Sequence, residues 1–324
     1  QSLVKYFIDP VYGGVYWTVD KTGDPRDTKK QVYAISFAIY GMSEYYALTR
    51  NEIARETAIS LYQDIIRYAY DENNGGYIEA LTREWKEIAD VRLSEKDANE
   101  RKSMNTHLHV LEGFANLYKI WPDKELERRI RDLVNIFPDH IFSPLGNHLQ
   151  LFFDEEWNCR SHGISYGHDI EAAWLVQEAA QLLGDDQLLE KVNAFSLKLV
   201  IGVEEGLDDD GGLWYEYDQN KKHLVKEKHW WPQAEAMIGF LHAAQTTDEE
   251  KYYRLSLQSW EFVKQHIQDK KNGEWVWGVY EDYSPMNQED KAGIWKCPYH
   301  NTRACIEVAR RIDAVDKKVK YELK

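Results

Sequence analysis

The chain has few of the residues that mark several protein classes. It has 3 cysteines among 324 residues (Cys159, Cys297, Cys305), at no spacing typical of a zinc site or a disulfide framework. This cysteine content fits a reducing compartment, so a cytoplasmic location is expected. The sequence also has no apolar run of about 18 residues, the length that a membrane-spanning helix needs. A membrane is therefore not an expected partner.

Basic residues are also scarce, since 40 Lys and Arg stand against 55 Asp and Glu, for a net charge of -15. Such a surface repels nucleic acid and anionic lipid, so neither is expected as a partner. The sequence lacks a P-loop, a dinucleotide-binding glycine fingerprint and the G-x-S-x-G elbow of serine hydrolases. These three kinds of site are therefore not expected.

Aromatic residues, in contrast, are abundant, with 12 Trp, 21 Tyr and 10 Phe. Most are expected to fill the core of a large domain. Some are expected to line a cleft, because flat aromatic faces suit the C–H faces of sugars and require no charge on the ligand.

A short pattern recurs at intervals of roughly 60 to 70 residues, which indicates a repeat architecture. It consists of an acidic or polar turn, a glycine and then aromatic or β-branched residues, and it predicts tight turns that lead into short strands. The third copy is the weakest match. The five copies are "DPVYGGVYW" (9–17), "DENNGGYIEA" (71–80), "SPLGNHLQLFF" (143–153), "DDDGGLWYEY" (208–217) and "DKKNGEWVWG" (269–278).

Two helical patterns fit between successive turns, because apolar residues recur at steps of three and four. The first helix of each pair is apolar nearly all round, and the second has a charged face, which indicates an inner ring of helices covered by an outer ring. The predicted class is an all-α toroid with short hairpins on one rim, formed by a single domain over residues 1–324. The predicted pairs after the first are 104–120 with 124–142, 166–183 with 185–205, and 231–245 with 248–267.

The first copy departs from this scheme, since only "QSLVKYFID" precedes its turn. A closed toroid of this kind usually has six helix pairs, and five turns are visible. We therefore expect that about one helix pair lies upstream and that Gln1 stands within a helix.

Polar side chains interrupt the apolar pattern in the second predicted inner helix, "SMNTHLHVLEG" (103–113). Asn105, His109 and Glu112 are spaced by four and three residues and therefore share one face. His107 points elsewhere, because residues two apart differ in direction by about 200°. We interpret His107 as a hydrogen-bonded residue that packs in the core or supports a site residue.

The corresponding place in the other inner helices is also polar or aromatic. If these helices all start at one rim, the side chains converge on one central funnel, as expected of an active site. The residues are Tyr33 in the first helix, His168 and Glu171 in the third, Trp231 and Glu235 in the fourth, and Trp295, His300 and Arg303 in the last.

Histidine is the natural general acid or base near neutral pH. His109, His168 and His300 are not paired at a metal-ligand spacing along the chain, so no metal and no cofactor is predicted. Two histidines on opposite walls of a funnel could remove a proton from one face of a carbon and return one to the other face. That reaction is an epimerisation.

Four segments, "MNTHLHVLE", "SYGHDIEAAW", "HWWPQAEA" and "WKCPYHN", resemble the signature segments of the cellobiose 2-epimerases, a group within the N-acylglucosamine 2-epimerase superfamily. The resemblance runs through essentially the whole chain. It implies an (α/α)6 barrel and inversion of C2 in the reducing-end sugar of β-1,4-linked disaccharides such as cellobiose or mannobiose. It also implies ring opening, a cis-enediolate and transfer of protons by histidines.

The resemblance carries residue roles as well. It implies that His300 and His168 are the acid/base pair and that His109 stabilises the charged oxygens. It implies that Asn105 binds the reacting sugar. The other matched positions lining the site are Tyr33, Asp97, Glu171, Trp231, Glu235 and Trp295. A disaccharide is the expected ligand, and a monomer is the expected state.

Three alternatives remain open on the sequence. Within the superfamily, the chain could be an N-acylglucosamine 2-epimerase or a mannose isomerase. An inverting glycoside hydrolase on the same toroid would need two carboxylates across the cleft, for which Glu171, Glu235 and Asp97 are candidates. A sugar-binding toroid without catalysis would need the aromatics but leaves three histidines unexplained.

Overall fold

The computed structural model describes residues 2–322, with side chains through residue 313. Within that range about half of the residues lie in α-helices. These are α1 (Val32–Thr49), α2 (Glu52–Tyr68), α3 (Met104–Tyr118), α4 (Lys124–Ile136), α5 (Tyr166–Leu183), α6 (Asp186–Val203), α7 (Trp230–Thr247), α8 (Glu250–Phe262) and α9 (Tyr299–Glu322). No helix over residues 2–322 combines the length and the apolar character needed to cross a bilayer.

Helices α3 and α7 are buried on all sides, whereas α4 buries one stripe. In α3, every residue over 106–117 is buried, and α7 is buried over 232–243. In α4 the buried residues recur at helical spacing, with Leu126, Ile130 and Leu133 inside and the charged residues mostly outside. The predicted asymmetry between the two members of a pair is therefore confirmed for these helices.

Side chains that cap the first turn define where several helices begin. Asn51 accepts the amide hydrogen of Ala54 at the start of α2, and Asp123 accepts that of Leu126 at the start of α4. Capping of this kind satisfies amide groups that have no partner inside the helix. The cap at Asp123 agrees with the predicted start of α4 at residue 124.

The described residues form two compact units. The first contains residues 2–142, 150–162 and 175–192, and the second contains 143–149, 163–174 and 193–322. In the first unit α1 packs against α2 and α3, and α3 packs against α4. In the second unit α7 packs against α8 and α9.

In the described residues, four pairs of short antiparallel strands join the segment before a helix to the segment after the following turn, and two pairs form local hairpins. The longest set has three strands, Gly163–Ser165, Glu216–Asp218 and His223–Val225, paired in that order. The remaining pairs are Thr18–Val19 with Pro25–Asp27, Lys30–Gln31 with Ala80–Leu81, Lys102–Ser103 with Phe152–Phe153, and Lys228–His229 with Gly278–Val279.

Three of the repeated turns are each fixed by a buried lysine that stands two residues before a buried helix. The Nζ of Lys30 lies 3.0 Å from Asp9 Oδ2 and 2.6 Å from the Gly13 carbonyl oxygen. Lys102 makes the same contacts with Asp71 and Gly75, at 2.8 Å and 2.7 Å. The three pairs of lysine and turn aspartate are Lys30 with Asp9, Lys102 with Asp71, and Lys228 with Asp208.

An aromatic ring from the next turn along the chain covers each of these lysines. Trp85, Trp157 and Tyr283 all adopt left-handed backbone angles, with φ of 63°, 67° and 63°. The Lys102 ammonium lies 4.7 Å from the centre of the Trp157 ring, a favourable cation–π geometry. We call each set of turn aspartate, buried lysine and covering ring a lysine clasp.

The second glycine of a turn is required where the covering ring approaches the backbone. A Cβ on Gly14 would lie 2.8 Å from Trp85, and one on Gly76 would lie 2.5 Å from Trp157. Both glycines also have positive φ. The close approach of the ring therefore explains the second glycine in the first two Gly-Gly pairs of the repeated pattern.

Three predicted helices differ from the observed ones. The helix predicted over 248–267 is α8, which ends at Phe262 and is followed by a wider turn at Val263–Ile267. The helix predicted over 124–142 is α4, which ends at Ile136. A wider turn follows at Phe137–Ile141. Pro138 lies in that turn and has no amide hydrogen to continue α-helical bonding. The last helix, α9, begins at Tyr299, so the prediction that Trp295 lies in it is wrong. The helical position expected for Gln1 lies outside the described residues.

Candidate active site

A buried glutamate on α7 is the centre of the candidate site in the second unit. Glu235 has no exposed surface, and its Oε1 accepts hydrogen bonds from His300 Nδ1 and Arg303 Nη2, both at 2.7 Å. Its Oε2 accepts from the Trp174 indole at 3.0 Å. Helices α5 and α9 therefore both supply side chains to this carboxylate of α7.

Arg303 joins this glutamate to a second one. Its Nη2 also donates to Glu171 Oε1 at 2.8 Å, and its guanidinium carbon lies 4.8 Å from the centre of the Trp174 ring. Burial alone would raise the pKa of Glu235, but the charge of Arg303 and the hydrogen bond from His300 hold it below its ordinary value. Glu235 is therefore ionised and accepts a hydrogen bond from Nδ1 of His300, so Nδ1 carries a proton and, in the neutral form of the ring, the lone pair lies on Nε2.

Two histidines contact the same indole in this unit. The His168 ring centre lies 4.6 Å from that of Trp231, and the His300 ring centre lies 5.6 Å from it. His168 Nδ1 is 2.8 Å from the hydroxyl of Ser165, which precedes α5. Both rings are half-buried, and each is oriented by a hydrogen bond to Nδ1. The structure thus brings together five predicted residues, His168, Glu171, Trp231, Glu235 and His300.

Another predicted group lies in the first unit. His109 is buried, and its Nδ1 is 3.0 Å from Glu112 Oε2, as the helical spacing predicted. Tyr33 packs edge-on against the His109 ring at 5.1 Å, and Phe37 packs against it at 4.7 Å. The buried Oδ1 of Asn105 accepts no hydrogen bond from the residues that the structure describes. Because buried polar atoms are generally paired, this oxygen is a candidate ligand contact.

His107 points away from this group, as predicted. It is completely buried, its Nε2 accepts the amide hydrogen of Tyr77 at 2.9 Å, and its Nδ1 donates to the Ser103 carbonyl oxygen at 2.6 Å. Burial lowers its pKa to about 3, so the ring stays neutral. The interpretation of His107 as a packing residue is confirmed.

Two predicted site residues lie in loops. Asp97 belongs to the segment between Leu81 and Lys102, where its Oδ2 accepts the amide hydrogen of Ser94 at 2.8 Å. Trp295 precedes α9 and is 42% exposed. Helical periodicity could not have placed either residue.

Sequence reasoning missed a buried carboxyl group in the first unit. Glu79 accepts hydrogen bonds from the hydroxyls of Ser103, at 2.7 Å, and Thr106, at 2.9 Å, at the start of α3. The repeat itself carried a signal for it. When the five turns are aligned on their strands, the position of Glu79 is apolar or aromatic in the other copies, namely Trp17, Leu151, Tyr215 and Trp277.

Glu171, Glu235 and His300 are also close enough to be considered as metal ligands, with one donor atom from each within 4.8 Å of the others. Arg303, however, already donates to both carboxylates, and His300 Nδ1 points at Glu235. A guanidinium therefore supplies the positive charge that a cation would bring, and we assign these residues no metal.

Comparison with known proteins places the chain in a family. The N-acylglucosamine 2-epimerase (GlcNAc 2-epimerase) family matches residues 1–304. The chain belongs to this family. The resemblance predicted from the four segments is thereby confirmed.

Individual relatives are similar over nearly the whole chain. A cellobiose 2-epimerase of Bacteroides fragilis is 47% identical over 308 residues, which cover 95% of this chain and 79% of the relative. A cellobiose 2-epimerase of Dictyoglomus turgidum is 38% identical, over 96% of this chain and 79% of its own length. The solved cellobiose 2-epimerase of Bacillus thermoamylovorans matches with a TM-score of 0.91 at 38% identity, over 96% of this chain and 79% of that one. The predicted all-α class, of the (α/α)6 type with short antiparallel strands, is confirmed.

Proposed function

We propose that the chain is an isomerase that inverts C2 of the reducing-end sugar in β-1,4-linked disaccharides, with cellobiose or mannobiose as substrate. The contact of His168 and His300 with the same Trp231 indole is the observation that carries the proposal. It is supported by the relatives that are cellobiose 2-epimerases, one of them 47% identical.

The proposed chemistry needs two groups that can each accept or donate a proton. After the sugar ring opens to the aldehyde, one histidine removes the C2 proton and the electron pair moves onto the carbonyl oxygen, which gives a cis-enediolate. The other histidine then delivers a proton to the opposite face of C2. His300 suits such a role, because ionised Glu235 fixes its Nδ1 proton and leaves Nε2 to exchange the substrate proton.

The other residues have supporting roles in this proposal. Trp231 and Trp295 would stack on sugar faces, as aromatic rings do in carbohydrate sites. His109 and Asn105 would contact the sugar oxygens, where hydrogen-bond donors stabilise developing charge. Glu171, Tyr33 and Asp97 would line the binding site, a role supported by their match to the family segments.

Incubation of the chain with cellobiose in D₂O tests the proposal. The expected product is glucosyl-mannose that carries deuterium at C2, because the returning proton comes from a histidine that exchanges with solvent. Release of free glucose would instead identify a glycoside hydrolase, and unchanged cellobiose would contradict an epimerase acting on this sugar.

The first prediction concerns His300. His300→Asn should lower kcat by about 10²–10⁴-fold, the range typical of general acid–base groups. His266→Asn is the matched control in the same unit, since its ring packs on Phe262 and Tyr283 and it has no part in the proposal. The control should keep kcat within about twofold. An epimerase that retains most of its kcat in His300→Asn would exclude His300 as an acid/base group.

A further inference from the structure

The third repeated turn is built differently from the three turns that hold lysine clasps. Ser143 stands where the others have aspartate, and Ile164 stands two residues before α5, where the others have lysine. A histidine and an aspartate form the ion pair here instead. His148 Nδ1 lies 2.8 Å from Asp169 Oδ2.

The charges of this pair are reversed relative to the lysine clasps. In the clasps the carboxylate belongs to the turn and the cation precedes the helix, whereas here the cationic side chain belongs to the turn and the carboxylate to the first turn of α5. Asp169 Oδ1 also accepts the amide hydrogen of Leu149 at 2.8 Å. Both oxygens of Asp169 therefore fix the start of α5 to the turn.

The pair is shielded from solvent. Asp169 is completely buried and His148 is 6% exposed. In the described part of the chain, the titratable side chains that face His148 are Asp169 and Tyr166 on α5 and Glu205 after α6, whose Oε2 is 3.5 Å from Nε2. A lysine keeps its charge at all physiological pH values, but a histidine does not.

The direction of titration follows from these neighbours. Burial alone would lower the pKa of His148, but the hydrogen bond and charge of Asp169, with the charge of Glu205, raise it above its ordinary value. Burial raises the pKa of Asp169, against the effect of His148. The pair therefore keeps its positive charge to a higher pH than an ordinary histidine would, and it loses that charge as pH rises through the raised pKa of His148.

His168 immediately precedes Asp169 in the first turn of α5, and its ring is held from the other side by Ser165. We propose that the His148–Asp169 pair is a titratable positioning contact that holds the start of α5, and with it His168, in place only while His148 is protonated. This rests on the proposed function, in which His168 exchanges the substrate proton. Loss of the charge leaves a neutral imidazole N–H that donates to the buried carboxylate, and it removes the attraction between the two opposite charges.

The kinetic test compares the pH dependence of kcat for the wild type and His148→Asn, a variant with an N–H donor that never carries charge. The wild-type kcat should exceed that of the variant by about tenfold near pH 6, and the ratio should fall toward about one by pH 9. His140→Asn is the matched control. His140 stacks on Trp157 and burial lowers its pKa, so its ratio to wild type should stay constant over the same range. A constant ratio for His148→Asn would show a merely structural role and overturn the proposal.

A second measurement does not depend on activity. In ring-labelled protein, the NMR signal of His148 should titrate with a pKa above that of free histidine, and Asp169→Asn should lower it. The His168 signal should show an inflection at the same midpoint, which His148→Asn should abolish. Failure to epimerise cellobiose would reject the proposed function alone, whereas a His168 signal with no inflection at the His148 midpoint would overturn the positioning contact. This titration of the wild type decides the matter even if His148→Asn does not fold.

Discussion

Glu79 is a buried carboxyl group that accepts hydrogen bonds from two hydroxyls, those of Ser103 and Thr106, at the start of the helix that carries His109. Burial raises its pKa to about 7, and the charge of Asp97 adds to the rise, while the hydroxyl hydrogen bonds act against it. Near neutral pH this group is therefore divided between its neutral and charged forms.

This pKa gives a stability prediction. A carboxyl group that binds its proton more tightly in the folded chain stabilises the fold at low pH. That contribution is lost as pH rises from about 4.5 to about 7. The melting temperature of the wild type should therefore fall, by roughly 2–5 °C relative to Glu79→Gln, between pH 5 and pH 8. Calorimetry across that range measures it.

Glu87→Gln is the control for Glu79, because the Glu87 side chain is 85% exposed. Its melting curve should follow that of the wild type at every pH. If the melting temperature of Glu79→Gln changes with pH in the same way as that of the wild type, the folded chain does not hold Glu79 in its neutral form.

The contribution of residue spacing to prediction is clear in α3. A helix places residues three and four apart on one face, so the sequence alone groups Asn105, His109 and Glu112 and separates His107 from them. Asp97, Glu79 and Trp295 could not be placed in this way, because each lies outside a helix. Their surroundings depend on contacts between segments that are far apart along the chain.

At the scale of elements, the lysine clasps connect each turn to the following one. Lys30 has no exposed side-chain surface, and neither has its partner Asp9. Removing one member of a buried pair leaves the other charge uncompensated, at a cost of about 3–5 kcal/mol. Arg83 Nε, 2.7 Å from the same oxygen of Asp9, offsets part of that loss.

We therefore predict that Lys30→Met lowers the free energy of unfolding by about 2–4 kcal/mol, measured by urea denaturation. The neighbouring residue provides a control. Lys29 is only partly buried and donates to the Arg92 carbonyl oxygen, so Lys29→Met should cost less than about 1 kcal/mol. Equal losses for the two variants would show that the clasp adds nothing beyond the removal of a lysine.

The repeat was predictable from the sequence, but the clasps were not. Glycine-rich turns and apolar periodicity are local signals, and they placed the helix pairs correctly. A clasp joins Asp9, Lys30 and Trp85, which are spread over about 75 residues of chain. The sequence pattern shows that these residue types recur, but only the folded chain shows which ring covers which lysine.

At the scale of the whole molecule, the predicted family and helical class are confirmed. The single domain over 1–324 and the helix pair expected upstream stay predictions, as do the roles of the site residues. The net charge of -15 bears on substrate choice, since a neutral disaccharide is indifferent to such a field and an anionic one is repelled.

The salt dependence of kcat/KM should therefore differ between a neutral and an anionic disaccharide. The kcat/KM for cellobiose should change less than about twofold between about 20 mM and 500 mM NaCl, where screening of surface charge becomes nearly complete. For a glucuronyl-glucose disaccharide, which carries one negative charge, kcat/KM should be lower and should rise severalfold with salt. A salt-dependent kcat/KM for cellobiose would indicate that surface charge acts on binding in some other way.

The covering ring of each lysine clasp also has a consequence for synthesis on the ribosome. Asp9, Gly14 and Lys30 emerge early, but Trp85, whose indole donates to the Tyr12 carbonyl oxygen, is added about 55 residues after Lys30. Because synthesis adds roughly 5–20 residues per second, several seconds pass before the Trp85 ring can cover Lys30 in the first turn. Lys102 is likewise covered only when Trp157 has been added, after a similar delay. The turns of the nascent chain should therefore become protected one after another, each only after most of the following repeat has been synthesised.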